Sequence, residues 1–542
     1  MNTISIVSFI TATAAVAVFT YILVGRMKKS KSATEEYFTG GRALTWPMVA
    51  GSLLLTNLST EQLVGLNGDV FGDKAMVGVA WEALAAFAMI ATALVFLPTY
   101  LASGFTTTPA FLEKRFDKTT RSMVSGLFLF GYVTVLLPVV LYTGSLALIT
   151  MFGLNMPFYI VVAIIGILGS SYAIFGGLKS VAVSDTLNGI GLLIGGLAIP
   201  FLALAALGGG SFFEGLATLG RDNPQYLAVL AQENIDGKTV TVPWPTLFTG
   251  MMFIQVFYWS TNQVIVQRAM AARSLAEGQK GVLFASGMKL LGPIMLCLPG
   301  IIALHMPDLN IGKQDQVYGA VVRHVLPDWS LGLFAAVLVG SILSSFNSAL
   351  NSASTLFSLQ FYRGYFNPSA SGEETVKIGK YFGILLAVAS ILIAPLLAQM
   401  ESIFQYLQKV NGLYSVPIIG IFLLGITTKH VPALAAKIGM IVGILFYSFF
   451  TFVNIKDVIP FFANTDGDLH WLHGYFISFL ASIGVMLIIG HLAPKTEEEI
   501  AVSEKKTPAP VDMTPWPLAK KVSVGIFSAT VAIYFLLTWA AS

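Results

Sequence analysis

The sequence predicts an all-α membrane protein of about 14 transmembrane helices, its core a five-plus-five inverted repeat with further helices at the periphery. Three observations carry this expectation. Apolar residues are in excess, they fall into stretches long enough to span a bilayer, and polar runs interrupt two of those stretches at corresponding places. Of 542 residues, 55% are hydrophobic and 11% charged, where a soluble domain carries about a quarter charged residues. A hydrocarbon core of about 30 Å needs about 20 residues of helix. Stretches of that kind cover approximately 3–25, 46–66, 75–101, 120–151, 157–175, 180–207 and 244–270 in the first half. In the second half they cover 278–304, 329–362, 376–399, 402–426, 431–454, 470–493 and 518–540.

The first stretch is preceded by nothing basic and followed by Arg26, Lys28, Lys29 and Lys31, so it reads as a retained helix with its N-terminus outside. Alternating from there, the cytoplasmic side collects 22 or 23 of the 31 basic residues, depending on the side given to Lys437. They include Lys114, Arg115, Lys118 and Arg121, then Arg268, Arg273 and Lys280, and finally Lys495, Lys505, Lys506, Lys520 and Lys521. Lys74, Arg221, Lys238, Lys313, Arg323 and Lys456 fall outside. This bias predicts a multi-pass protein of a bacterial inner (plasma) membrane with both termini periplasmic. It also accounts for the net charge of +3, which leaves no argument for nucleic acid.

Residues 1–542 read as one transmembrane domain, with core repeats at approximately 46–207 and 244–426 and peripheral helices at 3–25, 431–454, 470–493 and 518–540. Only 208–243 and 494–517 are long connections, both solvated loops by composition. Cys297 is the only cysteine, so a disulfide within the chain is excluded. The six histidines show no metal-site spacing, and no set of nucleophile, base and orienting group points to an enzyme.

The polar interruptions are Thr56-Asn57-Leu58-Ser59-Thr60-Glu61-Gln62 and Ser260-Thr261-Asn262-Gln263. With the first helix set aside, they fall in spans one and six. Broken helices at those places would free backbone carbonyls near the membrane midplane to hold a solute and an ion. The alternative is that such runs only bond neighbouring helices together.

Glu82 and Lys289 sit among apolar residues and would each cost roughly 2.5–3.5 kcal/mol or more facing lipid. They therefore face each other as a structural pair or line a wet cavity. In the second case, with the amides Gln62, Gln255 and Gln408, they would offer donors and acceptors to a polar, neutral ligand. Trp81, Tyr258, Trp259, Phe404 and Tyr406 adjoin these positions. Such rings are commonly core or interface residues, but beside a polar cavity they suit the C–H face of a sugar. Ser341, Ser344, Ser345, Ser348 and Ser352 recur every three or four residues and share one helical face. That stripe suits a packing seam or an oxygen cage for a hard cation.

Together these stretches resemble the solute:sodium symporter family, in its sugar-transporting branch with the sodium/glucose and bacterial sodium/galactose cotransporters. The matching motifs are Glu-Glu-Tyr-Phe-Thr-Gly-Gly-Arg at 35–42, Thr-Asn-Leu-Ser-Thr-Glu-Gln at 56–62 and Gly-Gly-Leu-Lys-Ser-Val-Ala-Val-Ser-Asp at 176–185. Further along are Tyr-Trp-Ser-Thr-Asn-Gln at 258–263, Gln-Arg-Ala-Met-Ala-Ala-Arg-Ser at 267–274, Ser-Ser-Phe-Asn-Ser-Ala-Leu-Asn-Ser at 344–352 and Phe-Gln-Tyr-Leu-Gln at 404–408.

The resemblance implies a LeuT-type fold and sodium-coupled symport of a monosaccharide by alternating access. It implies a sodium site from the hydroxyls of Ser344 and Ser345 with the carbonyls of Leu55, Leu58 and Ser341, and it places Asp185 on the ion's exit path. It implies a sugar site of Gln62, Glu82, Gln255, Lys289 and Gln408. Tyr258 would be the inner gate with Trp259 beside it, and Leu66, Trp81 and Phe404 would form the outer gate. Against the galactose transporters' pattern, Leu66 replaces methionine, Trp81 tyrosine, Ala85 serine and Gln255 asparagine, which leaves the particular sugar open. Other expectations are a polyol, sugar acid or amino acid as substrate, or a membrane sugar sensor that does not transport.

Overall fold

The computed structural model describes residues 3–26, 40–105, 107–400, 402–453, 469–504, 509 and 511–541, with backbone alone at 40, 171–179, 502–504, 540 and 541. Outside the described residues lie Lys28, Lys29 and Lys31, Glu35 to Thr39 of the first motif, Lys456, Lys505 and Lys506. The side chains of Gly176 to Lys179 are also outside them.

In chain order the spans begin with α1 (Thr3–Gly25), then the broken pair α2 (Trp46–Asn57) and α3 (Thr60–Asp73). Next come α4 (Met76–Ser103) and α5 (Lys118–Phe152). The helical stretch Phe158–Leu207 holds two spans, α6 (Phe158–Ser170) and α7 (Ser180–Leu207). A second broken pair follows, α8 (Gly250–Ser260) and α9 (Gln263–Met270), and then α10 (Leu275–Lys289) and α11 (Gly292–Leu304), bent by 50°. The remainder are α12 (Asp328–Phe366), α13 (Gly372–Gln399), α14 (Ile403–Thr427), α15 (Ala433–Phe452), α16 (Trp471–Leu492) and α17 (Ala519–Ala541). Among the described residues ten helices are long and apolar enough to cross a membrane alone, and the bent pair taken as one span is an eleventh. The two broken pairs and the shorter apolar helix α6 lie at the remaining three places where a span is expected.

Burial separates core from periphery. In its most apolar window, 72% of α12 is buried inside the protein against 6% of α1. Lipid supplies no hydrophobic drive between helices, so close backbone approach at small residues takes its place. Along α7 and α12 this is literal. A Cβ at Gly191 would lie 2.7 Å from Val337, one at Gly195 2.6 Å from Phe334, and one at Gly340 2.4 Å from Asn188.

Two prolines shape the central helices. Pro98 and Pro138 lack the N–H that the preceding turn expects, and their rings press on it. Each is preceded by one wide π-helical turn, Thr92–Phe96 and Tyr132–Leu136, and turns of this kind often occur at functional sites. Here they present Thr92 and Tyr132 to the break between α8 and α9.

Candidate functional site

Both helix breaks fall inside the polar runs identified from sequence. Leu58 and Ser59 leave helical geometry between α2 and α3, as do Thr261 and Asn262 between α8 and α9. A helix end exposes carbonyls and amides that need partners, and the two breaks find different ones.

At the first break the partners come from the serine stripe of α12. Ser341 Oγ donates to the Leu58 carbonyl at 2.9 Å and Ser345 Oγ to the Thr56 carbonyl at 3.3 Å, while Thr56 and Ser348 bring their hydroxyls to 3.4 Å. Leu55, Leu58, Ser341, Ser344 and Ser345 are all buried. These neutral oxygens around a dipolar helix end are the donor type a hard cation takes. Asp185, also buried, accepts from Ser52 Oγ at 2.7 Å and lies beside Ser344. Arg268 donates to Ser348 and to the Val264 carbonyl just below.

At the second break the carbonyls are closed off by hydroxyls. Thr92 Oγ1 lies 3.1 Å from the Trp259 carbonyl, 2.9 Å from the Ala88 carbonyl of its own helix and 2.9 Å from Ser260 Oγ, and Tyr100 donates to the Ser260 carbonyl at 2.8 Å. Asn262 caps Val264 at 3.2 Å and accepts from Tyr132 at 2.7 Å.

A cavity lies between the two breaks, lined by Gln62, Trp81, Glu82, Gln255, Tyr258, Trp259 and Gln408 from the sequence-derived set. Asn57, Glu61 and Asn411 line it as well. Asn57 and Glu61 belong to the interrupted motif, and Asn411 follows Gln408 by one helical turn, donating to it at 3.4 Å. Those were the available sequence signals for these three. Its free volume is about 50 Å³, enough for a few waters at roughly 10–15 Å³ each. The cavity is therefore closed down in this conformation.

Lys289 is placed behind the wall rather than on it. Fully buried, it pairs with Glu82 and donates to Asn57, and its ammonium lies 5.6 Å from the Trp259 ring centroid. The bend after α10 makes this possible: a Cβ at Gly292 would lie 2.2 Å from Glu82 Oε2, so only glycine leaves the carboxylate its place. Gln255 Nε2 donates to the Trp81 carbonyl at 2.8 Å, tying α8 to α4.

Above the cavity Trp81 meets Phe404 edge-on at 5.3 Å, and Phe404 packs against Gly65, where a Cβ would lie 2.6 Å from it. Leu66 is buried beside this layer and does not line the cavity, nor does Phe404. Trp471, from peripheral α16, stacks on Trp81 at 6.4 Å; no sequence signal pointed to it. Tyr258 meets Trp259 edge-on at 5.3 Å at the other side.

The family model described as the sodium:solute symporter family matches residues 37–443. An uncharacterized symporter of Escherichia coli (strain K12), YidK, is 40% identical over 98% of this chain and 91% of its own length. The sodium/glucose cotransporter of Vibrio parahaemolyticus is 31% identical over 82% of this chain and 85% of its own. A Na+-coupled sialic acid symporter, solved substrate-bound and outward-open, superposes with a TM-score of 0.76 over 91% of this chain and 99% of its own. At 20% identity it bears on the fold, which is LeuT-like. With the family model covering most of the chain, this protein belongs to the sodium:solute symporter family, as a sodium-coupled transporter rather than an enzyme.

Proposed function

We propose that this protein imports a neutral, galactose- or glucose-like monosaccharide by coupling its entry to sodium. The observation that carries the reading is the cavity between the two helix breaks, where five amides, two acidic side chains and four aromatic rings line one small space. Amides and carboxylate suit hydroxyls around a sugar's rim, and the rings suit its C–H face. In this reading Gln62, Glu82, Gln255 and Gln408 bind the sugar directly. Lys289 acts through Glu82 and Asn57, Tyr258 and Trp259 close the inner side, and Leu66, Trp81 and Phe404 close the outer side. The similarity to a sodium/glucose cotransporter supports the same substrate class.

Sodium binds first, at Leu55, Leu58, Ser341, Ser344 and Ser345, and leaves past Asp185. Bound there, it joins the α2/α3 break to α12, holds the outward-open form, and so raises affinity for sugar. A potential of about 100 mV supplies about 2.3 kcal/mol per charge and a tenfold gradient about 1.4 kcal/mol, enough with tight coupling for several-hundredfold accumulation. The membrane is the bacterial inner membrane, with both termini periplasmic; reporter fusions to the C-terminus that were active in the cytoplasm would reverse that orientation.

The test is uptake of radiolabelled hexoses into proteoliposomes. A sodium gradient should drive accumulation above equilibrium, and replacing sodium with potassium should abolish it. Hexose uptake indifferent to that exchange would defeat the proposal.

A further inference from the structure

The start of the peripheral helix α16 is built onto the wall of the cavity. A Cβ at Gly250 would run into the Leu472 carbonyl, so a glycine is what lets α16 come this close to α8. Across the same junction Thr249 Oγ1 and His473 Nδ1 lie 3.0 Å apart. Between these contacts Trp471 is buried and lays its ring over Trp81, with 6.4 Å between centroids and 14° between planes. Trp81 is thereby held by Trp471 across its face, by Phe404 edge-on at 5.3 Å, and by Gln255, which donates to its carbonyl at 2.8 Å.

The polar atom of Trp81 gives this support a purpose. Trp81 lines the cavity, yet its indole N–H is buried and has no hydrogen-bond partner among the described residues. A buried donor left unpaired is costly, and an indole can only donate; an acceptor oxygen on a ligand would relieve that cost. Trp471 does not line the cavity, and its own N–H is unpartnered as well. What it supplies to the site is a flat face that matches Trp81.

We propose that Trp471 is a positioning residue of the substrate site: it stacks on Trp81 and holds that indole so that its N–H donates to an oxygen of the sugar. This rests on the monosaccharide reading above and adds one donor-only contact to it. Trp81 then binds substrate besides closing the outer side. The hydroxyl it meets must accept. Replacing that hydroxyl by fluorine, which accepts weakly and cannot donate, keeps part of the contact, and replacing it by hydrogen removes all of it.

The experiment measures binding of D-galactose, D-glucose and their deoxy and deoxyfluoro analogues, one ring position at a time, to the purified protein in saturating sodium by calorimetry. In the unmodified protein one position should favour fluorine over hydrogen by about fivefold, the worth of roughly one weak hydrogen bond. Trp81→Phe should weaken the hexose about tenfold and erase that preference. Trp471→Met, which fills the space without a flat face, should do the same, and the double variant should be no worse than either single one, because both remove the same contact. Trp471→Phe keeps a stacking ring and should keep the preference, with affinity within about threefold. If Trp471→Met does not fold, Trp471→Leu takes its place. A fluorine preference absent from the unmodified protein, or surviving Trp81→Phe, overturns the donor contact. A preference that survives Trp471→Met, with only the melting temperature lowered, makes Trp471 a packing residue and overturns its positioning role. Either result leaves the sugar reading standing, whereas failure of the unmodified protein to bind either hexose overturns both.

Discussion

The two helix breaks occupy equivalent places in the two repeats, yet their freed backbone groups are treated differently. At Leu58–Ser59 the carbonyls meet serine hydroxyls that run along α12 as a continuous stripe. At Thr261–Asn262 they meet Thr92 and Tyr100, while Asn262 caps its own helix. The stripe offers neutral oxygens with lone pairs to spare. The second set brings one hydroxyl to each carbonyl from a helix shaped by Pro98, Tyr100 to Ser260 alone and Thr92 shared with the Ala88 carbonyl and Ser260 Oγ. One architectural device thus gives a site with unspent oxygen ligands and a joint whose polar groups are already satisfied. The polar run sets where the chain breaks, and the facing helix sets what the break can hold.

The largest expected effect lies where a charge reaches the first break. Lys289 joins Glu82 to Asn57, and Lys289→Ala would leave Glu82 buried without its counter-ion, a loss of about 3–5 kcal/mol. Sugar binding should fall beyond detection in that variant, while sodium binding, which uses oxygens of α2 and α12, stays measurable. Replacing Glu82 and Lys289 together by apolar residues separates site from scaffold. If both only hold the fold, the double variant should recover stability and transport; normal sugar uptake by it would remove the pair from the substrate site. Thermal stability and sugar binding measured on all three variants decide between these outcomes.

Next in size is the ion side itself. Ser345→Ala removes a hydroxyl from the Thr56 carbonyl and one proposed sodium ligand. The sodium concentration for half-maximal uptake should rise about tenfold, the worth of a lost hydrogen bond or ligand of roughly 1.4 kcal/mol, with sugar affinity at saturating sodium little changed. An unchanged half-saturation value would return the stripe to packing alone.

The breaks were legible in the sequence because hydroxyls, amides and a carboxylate crowded into one turn exceed what a lipid-facing helix tolerates. The amides and aromatic rings of the cavity were legible for the same reason, each being a polar or amphipathic residue in an apolar run. What the sequence withheld is depth. Lys289 and Gln62 look equivalent as polar residues in helices, but the bend at Gly292 sets Lys289 behind Glu82 while Gln62 lines the cavity. Trp471 was invisible because its role comes from a peripheral helix packing across Trp81, a contact that no local pattern encodes. The hydroxyls of Thr92 and Tyr100 were missed because they read as ordinary residues around Pro98, and only the wide turn aims Thr92 at the break.

The smallest expected effect therefore tests the comparison most directly. Tyr100→Phe removes the donor to the Ser260 carbonyl and leaves a ring of the same shape between Phe111 and Phe422. The carbonyl then has no hydroxyl to meet in a buried place, a cost of about 1–3 kcal/mol, read as a lower melting temperature in detergent. Because Thr92 still holds the Trp259 carbonyl, the joint should weaken without opening, and maximal uptake should change less than threefold, about 0.65 kcal/mol in barrier. The sodium concentration for half-maximal uptake should stay where it is in the unmodified protein, since none of the proposed ion ligands is touched. A shift there as large as that from Ser345→Ala would mean that the second break also holds the ion, and the division of labour between the two breaks would fail.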